Sequence, residues 1–113
     1  MTRPSNVDAE LFLGALPVLD GAEETAAAGI LSSLQPANVR LRRALRNQAE
    51  MVNHPRYRLI FDPQTAGGLL ASVPGDQVDE CVAALRAAGY PHTAIIGRIV
   101  AQSDALEPIV LCA

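Results

Sequence analysis

The chain has 113 residues and a net charge of −3; half of its residues are hydrophobic, none is lysine, and only Phe12, Tyr57, Phe61 and Tyr90 are aromatic. That length suits one domain over residues 1–113, with a single core that removes about two thirds of the unfolded surface from water. The missing lysine excludes a Walker-type phosphate loop and a Schiff-base mechanism, and no run approaches the roughly 18 to 20 consecutive apolar residues of a membrane span.

With so few aromatics, the core must come from Leu, Ile, Val and Ala. The opening residues Met-Thr-Arg-Pro-Ser-Asn lead into no apolar signal core, so the expected location is the cytoplasm. Cys81 and Cys112 lack metal-ligand spacing and read as reduced thiols, Cys81 on the apolar stripe of a helix.

Val7, Ala9, Leu11 and Leu13 alternate with polar or small neighbours, which predicts a half-buried strand ending at Gly14. A short helix follows, with Asp20 as its N-cap, Glu23 completing a capping box and Gly29 as its stop. A second helix is expected from Pro36, with Leu34, Ala37, Leu41 and Leu45 as its apolar stripe, fading before Pro55.

Tyr57 to Phe61 reads as a strand, residues 62–67 as a loop, and Gly68 to Val73 as another strand. Asp76 is the expected cap of a helix whose face is Val78, Cys81, Val82 and Leu85 and whose C′ residue is Gly89. Thr93 to Val100 predicts a strand with a bulge at Gly97, and Ile109 to Cys112 a last one. The order β, α, α, β, β, α, β, β gives an α+β fold with a mixed, mainly antiparallel sheet and helices packed on one face.

Two features could carry chemistry. The turn Asp62-Pro63-Gln64-Thr65-Ala66-Gly67-Gly68 is either a plain connection, with Gly67 or Gly68 at positive φ, or an exposed concavity. In the second reading its backbone N–H groups and the Thr65 hydroxyl face an anion, or Asp62 adds a carboxylate near Mg²⁺. The other feature is charge: Arg40, Arg42, Arg43, Arg46, Arg56 and Arg58 with the single acid Glu50 make residues 40–58 +5 and leave the remainder −8. Such a segment is a solvated face or an attractor of phosphate or of an acidic partner. A sequence pI near 5.2 and no aromatic interleaving count against nucleic acid. His54 and His92 fall in loops, and no catalytic triad can be argued.

The run Leu59-Ile60-Phe61-Asp62-Pro63-Gln64-Thr65-Ala66-Gly67-Gly68-Leu69-Leu70 resembles the signature near the end of selenophosphate synthetases (selenide, water dikinases). Ala15 to Ala22 leading to Ala28-Gly29-Ile30, Ser32 to Asn38, Leu85 to Gly89 and Ala94 to Gly97 are similar to that family in the same order. The resemblance implies a C-terminal domain of the aminoimidazole ribonucleotide synthetase-like superfamily, which closes over an N-terminal ATP-binding domain that has no counterpart in this chain. The full enzyme it implies makes selenophosphate, AMP and phosphate from selenide, ATP and water, with Mg²⁺ as cofactor.

This chain lacks the family's reactive Cys or selenocysteine, its lysine and its metal-binding aspartates, so no catalytic residue or metal ligand carries over. The residues that match positions facing the active site are Asp62, Gln64, Thr65, Gly67 and Gly68, with Ser32, Ser33 and Asn38 as accessories. Arg40, Arg43 and Arg58 join them on charge. The expected partners are the N-terminal domain and further copies of the chain; neither nucleic acid nor membrane is expected. The rival readings are a free-standing binding or assembly module that kept the fold without catalysis, and a small-molecule-binding α+β domain unrelated to selenium.

Overall fold

Alternation at the start of the chain does produce a strand, β1 (Val7–Phe12), and the computed structural model, which describes residues 2–113, places it at the centre of a three-stranded sheet. β2 (Gly97–Ala101) pairs antiparallel to it, with Leu11 opposite Gly97, and β3 (Ile109–Cys112) pairs parallel, with Leu11 opposite Leu111. The fold is α+β around a mixed sheet, as expected, with one antiparallel and one parallel pairing.

The helices are α1 (Ala22–Ala27), α2 (Gln35–Asn38), α3 (Gln48–Met51) and α4 (Val78–Ala87), joined by 3-10 turns at Leu13–Ala15, Val39–Ala44 and Leu59–Phe61. None is long and apolar enough to cross a membrane.

Glycine ends α1 and α4 as the sequence requires. Gly29 (φ 77°) and Gly89 (φ 101°) are left-handed, and the next residues, Ile30 and Tyr90, donate their N–H back to Thr25 and Leu85 in Schellman closures. The helix starts differ from expectation. Gly21 rather than Asp20 is the N-cap of α1, Gln77 rather than Asp76 that of α4, and neither cap makes a side-chain hydrogen bond. Glu23 is instead drawn to Arg56, 2.5 Å away.

The long helix expected after Pro36 is broken, because Leu45 turns to extended backbone and forms a parallel bridge with Ile109. Arg46 N–H donates to the Ile109 carbonyl at 2.8 Å. The Asn47 amide then meets both backbone groups of Leu111, at 2.8 and 2.9 Å. Together these close the outer edge of β3. Of the expected stripe only Leu45 is buried; Leu34 and Leu41 lie in solvent.

Tyr57 to Phe61 is not a strand. Its N–H groups bond three residues back, from Leu59 to Arg56 and from Phe61 to Arg58, so no ladder forms. Tyr57, Ile60 and Phe61 thereby take helical spacing toward the core, and the Tyr57 and Phe61 rings meet edge to face at 5.3 Å. The core is Leu13, Leu45, Tyr57, Phe61 and Leu111, flanked by Leu11, Leu16, Val39, Met51, Ile60 and Ile109.

Gly68 to Val73 likewise has no strand partner. Leu69 and Leu70 are exposed, and the face of α4 expected to be buried is only half covered. β2 is shorter than predicted, since residues 93–96 are not strand.

Gly97 is needed for close approach, because a Cβ there would overlap the backbone carbonyl of Glu10 on β1. Gly97→Ala is expected to cost about 1 to 3 kcal/mol as β2 is pushed out of register. Urea unfolding followed by circular dichroism measures this, and a change within about 0.5 kcal/mol would contradict the packing.

Candidate functional site

The turn from Arg58 to Asp62 is fixed by two amides from α2. Gln35 Nε2 donates to the Arg58 carbonyl at 2.7 Å, and Asn38 Nδ2 donates to the Phe61 carbonyl at 3.1 Å. Polar side chains thus take the role that a neighbouring strand would have had. Asn38, expected near an active site, is a brace for this turn.

Between α1 and the turn lies an open cleft of about 120 Å³, lined by Ala22, Thr25, Ala26, Ile30, Leu31, Ser32, Gln35, Arg58, Leu59 and Asp62. Of the residues singled out from sequence, it gathers Ser32, Arg58 and Asp62. Gln64, Thr65, Gly67 and Gly68 continue from Asp62 along the surface outside it, Ser33 is exposed beside it, and Arg40 and Arg43 project into solvent.

Neither Gly67 nor Gly68 takes positive φ, so the expected left-handed turn is absent. A Cβ at Gly67 would sit 2.8 Å from Gln64 Oε1, the far end of an exposed side chain that can swing aside, and Gly68 faces open space, so neither position demands glycine for room. The loop is at the surface as expected, but no glycine-built anion nest follows from its backbone.

Gln35 is the residue that sequence reasoning missed. It is only 4% exposed, and its Oε1 has no hydrogen-bond partner. The Arg58 carbonyl fixes which amide atom is nitrogen, because only an N–H can meet it at 2.7 Å. An unpaired buried acceptor costs about 1 to 3 kcal/mol. Gln35 lies within the Ser32 to Asn38 stretch, but its buried, unpaired oxygen is visible only in the fold.

The basic segment divides by role. Arg46 donates to Asp8 at 2.8 Å and to the Ser103 hydroxyl at 2.8 Å, and Arg56 is bound into the fold by Glu23 and by main-chain carbonyls. Arg40, Arg42 and Arg43 remain exposed. His54 Nδ1 accepts from the Arg56 N–H, a local structural contact. Both cysteines are free thiols. Among the described residues no three of His, Cys, Asp and Glu converge as a metal-binding group.

Asp8 is buried on β1, and its Oδ2 accepts from the Ser103 hydroxyl (2.5 Å), Arg46 (2.8 Å) and the Ser103 N–H (3.1 Å). The Ser103 hydroxyl first, and Arg46 second, hold its carboxyl below the usual value. A carboxylate with a lowered folded pKa stabilises the fold above its unfolded value near 3.9, and that contribution is lost as pH falls through the folded value. Asp8→Asn is therefore expected to lower the thermal midpoint at pH 7 and to flatten its fall between pH 5 and pH 2. An unchanged acid limb would remove Asp8 as its source.

No protein-family model matches the chain. It is 33% identical over 107 residues to a selenide, water dikinase of Burkholderia ambifaria, covering 88% of this chain and 28% of that protein. A selenide, water dikinase of Pelobacter propionicus is 46% identical over 57 residues, half of this chain and 16% of its own length. One from Clostridium botulinum is 29% identical over 111 residues, 98% of this chain and 31% of that protein. The chain thus spans under a third of the length of these curated relatives.

Proposed function

We propose that this chain, a relative by sequence of the selenide, water dikinases, is the C-terminal domain of such an enzyme and closes over an N-terminal ATP-binding domain. The observation that carries the reading is the match to the Burkholderia ambifaria protein along most of the chain. A small-molecule-binding domain with no tie to selenium does not account for it.

Surface area supports a covering partner. The chain exposes 8212 Å², whereas a folded monomer of 11.9 kDa exposes about 6,000 Å². The excess, roughly 2,000 Å², is the size of an extensive interface. Its radius of gyration, 14.9 Å, likewise exceeds the about 13 Å expected for its length. Leu69, Leu70, Leu85 and Tyr90 are among the exposed apolar residues. Large apolar patches mark association sites, and the domain's partners are the ATP-binding domain and further copies of the enzyme.

In the whole enzyme the loop Asp62, Gln64, Thr65, Gly67 and Gly68 faces the active site, with Ser32 and Arg58 beside it and Arg40 and Arg43 adding positive potential. ATP and Mg²⁺ serve the production of selenophosphate, AMP and phosphate from selenide, ATP and water. Among the described residues no three of His, Cys, Asp and Glu converge as a metal-binding group, so no step is assigned to the metal on this chain. A few screened surface charges give at most millimolar affinity for phosphate, about −4 kcal/mol. The enzyme works in the cytoplasm.

The purified chain with MgATP and selenide under reducing conditions is expected to form no AMP. Turnover above that of an Asp62→Ala, Thr65→Ala control would assign chemistry to this domain itself. The positive arm is a chimera in which this chain replaces the matching 107 residues of the Burkholderia ambifaria protein. It is expected to make selenophosphate, and to lose about tenfold or more on the double substitution, the scale of a misplaced active-site group. A folded chimera without selenide-dependent AMP formation would count against the reading.

A further inference from the structure

The sheet has one closed edge and one open edge. On the β3 side, Leu45, Arg46 and Asn47 occupy the outer backbone groups of Ile109 and Leu111. The β2 side differs. Phe12 N–H donates to the Ile96 carbonyl at 2.9 Å and Ala9 N–H to the Pro108 carbonyl at 2.8 Å, so Asp8, Glu10 and Phe12 turn their backbone groups toward β2. Val100 and Arg98, opposite Asp8 and Glu10, meet them. Ile99 and Ala101 alternate with these two and turn their N–H and C=O groups outward, where no group among the described residues bonds to them.

The same chain holds a strand former without a ladder. Among the described residues, no backbone hydrogen bond involves residues 63–73. Leu69 is fully exposed and Leu70 largely so, so the segment from Gly68 to Val73 does not rest on its own core. Neither feature is guarded. Edge strands are protected by lysine, proline, bulges or unpaired charge. β2 contains no lysine and no proline, and its one charge, Arg98, is held by Glu10 at 2.6 Å. Gly68 to Val73 has neither charge nor proline.

The occupant follows from what each feature lacks. A foreign strand would fill the β2 edge and leave the leucines in water, and a foreign apolar surface would cover the leucines and leave the edge open. A second copy brings both halves, and a two-fold pair satisfies each of them twice. The area suffices, because the roughly 2,000 Å² by which this chain exceeds a compact monomer of its mass is more than the ~800 Å² per partner of a standard interface. We propose that two copies of this chain exchange strands, Gly68 to Val73 of each adding to the open edge of β2 on the other through Ile99 and Ala101. The interface stands on the edge and the segment and does not rest on the enzymatic reading above.

The test is sedimentation equilibrium of the full chain over a concentration series, with amide hydrogen exchange on the same samples. Expected is a reversible dimer of twice the 11.9 kDa mass, in which the Ile99 and Ala101 amides and alternate amides of residues 69–73 become protected as the dimer forms. In a mixture of ¹⁵N-labelled and ¹³C-labelled chains, contacts between residues 69–73 and β2 are expected across the isotope boundary. Leu70→Pro combined with Ala71→Pro removes a ladder N–H whichever way the segment faces, and Ile99→Lys places a guard on the edge. Each change is expected to weaken dimerisation about tenfold or more while the monomer's circular dichroism is kept. Leu41→Lys, at an exposed leucine outside both features, is expected to leave it unchanged. A monomer at every concentration would overturn the proposal, including one whose 69–73 and β2 amides are protected because the segment pairs within its own chain. A dimer that both sets of changes leave intact would overturn it as well, since the interface would then lie elsewhere.

Discussion

Replacing Leu13 by alanine is expected to lower unfolding free energy by about 2 to 5 kcal/mol, the range for a fully buried leucine whose cavity cannot collapse. Leu13 is 0% exposed and packs with Leu45, Tyr57, Phe61 and Leu111 in one buried cluster beside the sheet. Domains of this kind have about 5 to 15 kcal/mol in total, so the variant stands near the edge of stability. Leu41→Ala provides the contrast: Leu41 belongs to the apolar stripe predicted by periodicity, yet it lies in solvent, and its replacement is expected to change stability by less than about 0.5 kcal/mol. Urea unfolding of both variants decides between the two pictures. A Leu41→Ala loss equal to that of Leu13→Ala would restore the long helix and remove the observed break at Leu45.

Sequence periodicity was most informative where a segment's partners are local. The Gly89 closure of α4 lies where the pattern puts it, because a C′ glycine is decided by a few neighbours, and β3 was legible as a short continuous apolar run although its partner β1 is distant in sequence. It failed where a distant partner decides. Tyr57 to Phe61 has strand composition, but side-chain amides from α2 occupy its Arg58 and Phe61 carbonyls, and the segment becomes a turn. Gly68 to Val73 also has strand composition, and no neighbour offers it a ladder. The stripe from Leu34 to Leu45 broke because Leu45 and Asn47 bond to β3, more than sixty residues away in sequence.

The candidate site was legible to a similar degree. Ser32, Arg58 and Asp62 do share one cleft, and the exposed loop leads away from it. Positive φ at Gly67 or Gly68 was not borne out, since the presence of glycine does not by itself set the backbone conformation it takes. Gln35 could not be found without the fold, because what marks it is the donor it lacks.

Arg56 gives the second large effect expected from the structure, and it tests whether the basic segment is a ligand-attracting surface or partly a structural tie. Its Nε is 2.5 Å from Glu23, and one terminal nitrogen donates to the carbonyls of Gly14 at 2.7 Å and Leu16 at 2.8 Å, with a longer contact to Leu13. One planar guanidinium therefore joins α1, the turn after β1 and the core segment before Tyr57. The Arg56 and Glu23 side chains are 23% and 35% exposed, so solvent screens the ion pair, and most of the effect comes from carbonyls left without a donor. Arg56→Met is expected to cost about 2 to 4 kcal/mol, and Arg56→Lys nearly as much, since a single ammonium cannot reproduce a fork that spans several acceptors. Arg43→Met, at an exposed arginine in no ion pair among the described residues, should stay within about 0.5 kcal/mol. Because α1 forms one wall of the cleft, the Arg56 variants should also shift the backbone amide signals of Thr25 and Ala26 in a ¹⁵N spectrum, and Arg43→Met should leave them in place. Equal stability of the Arg56 and Arg43 variants would show that the segment is simply a solvated charged face, and the orientation of α1 would then need another cause.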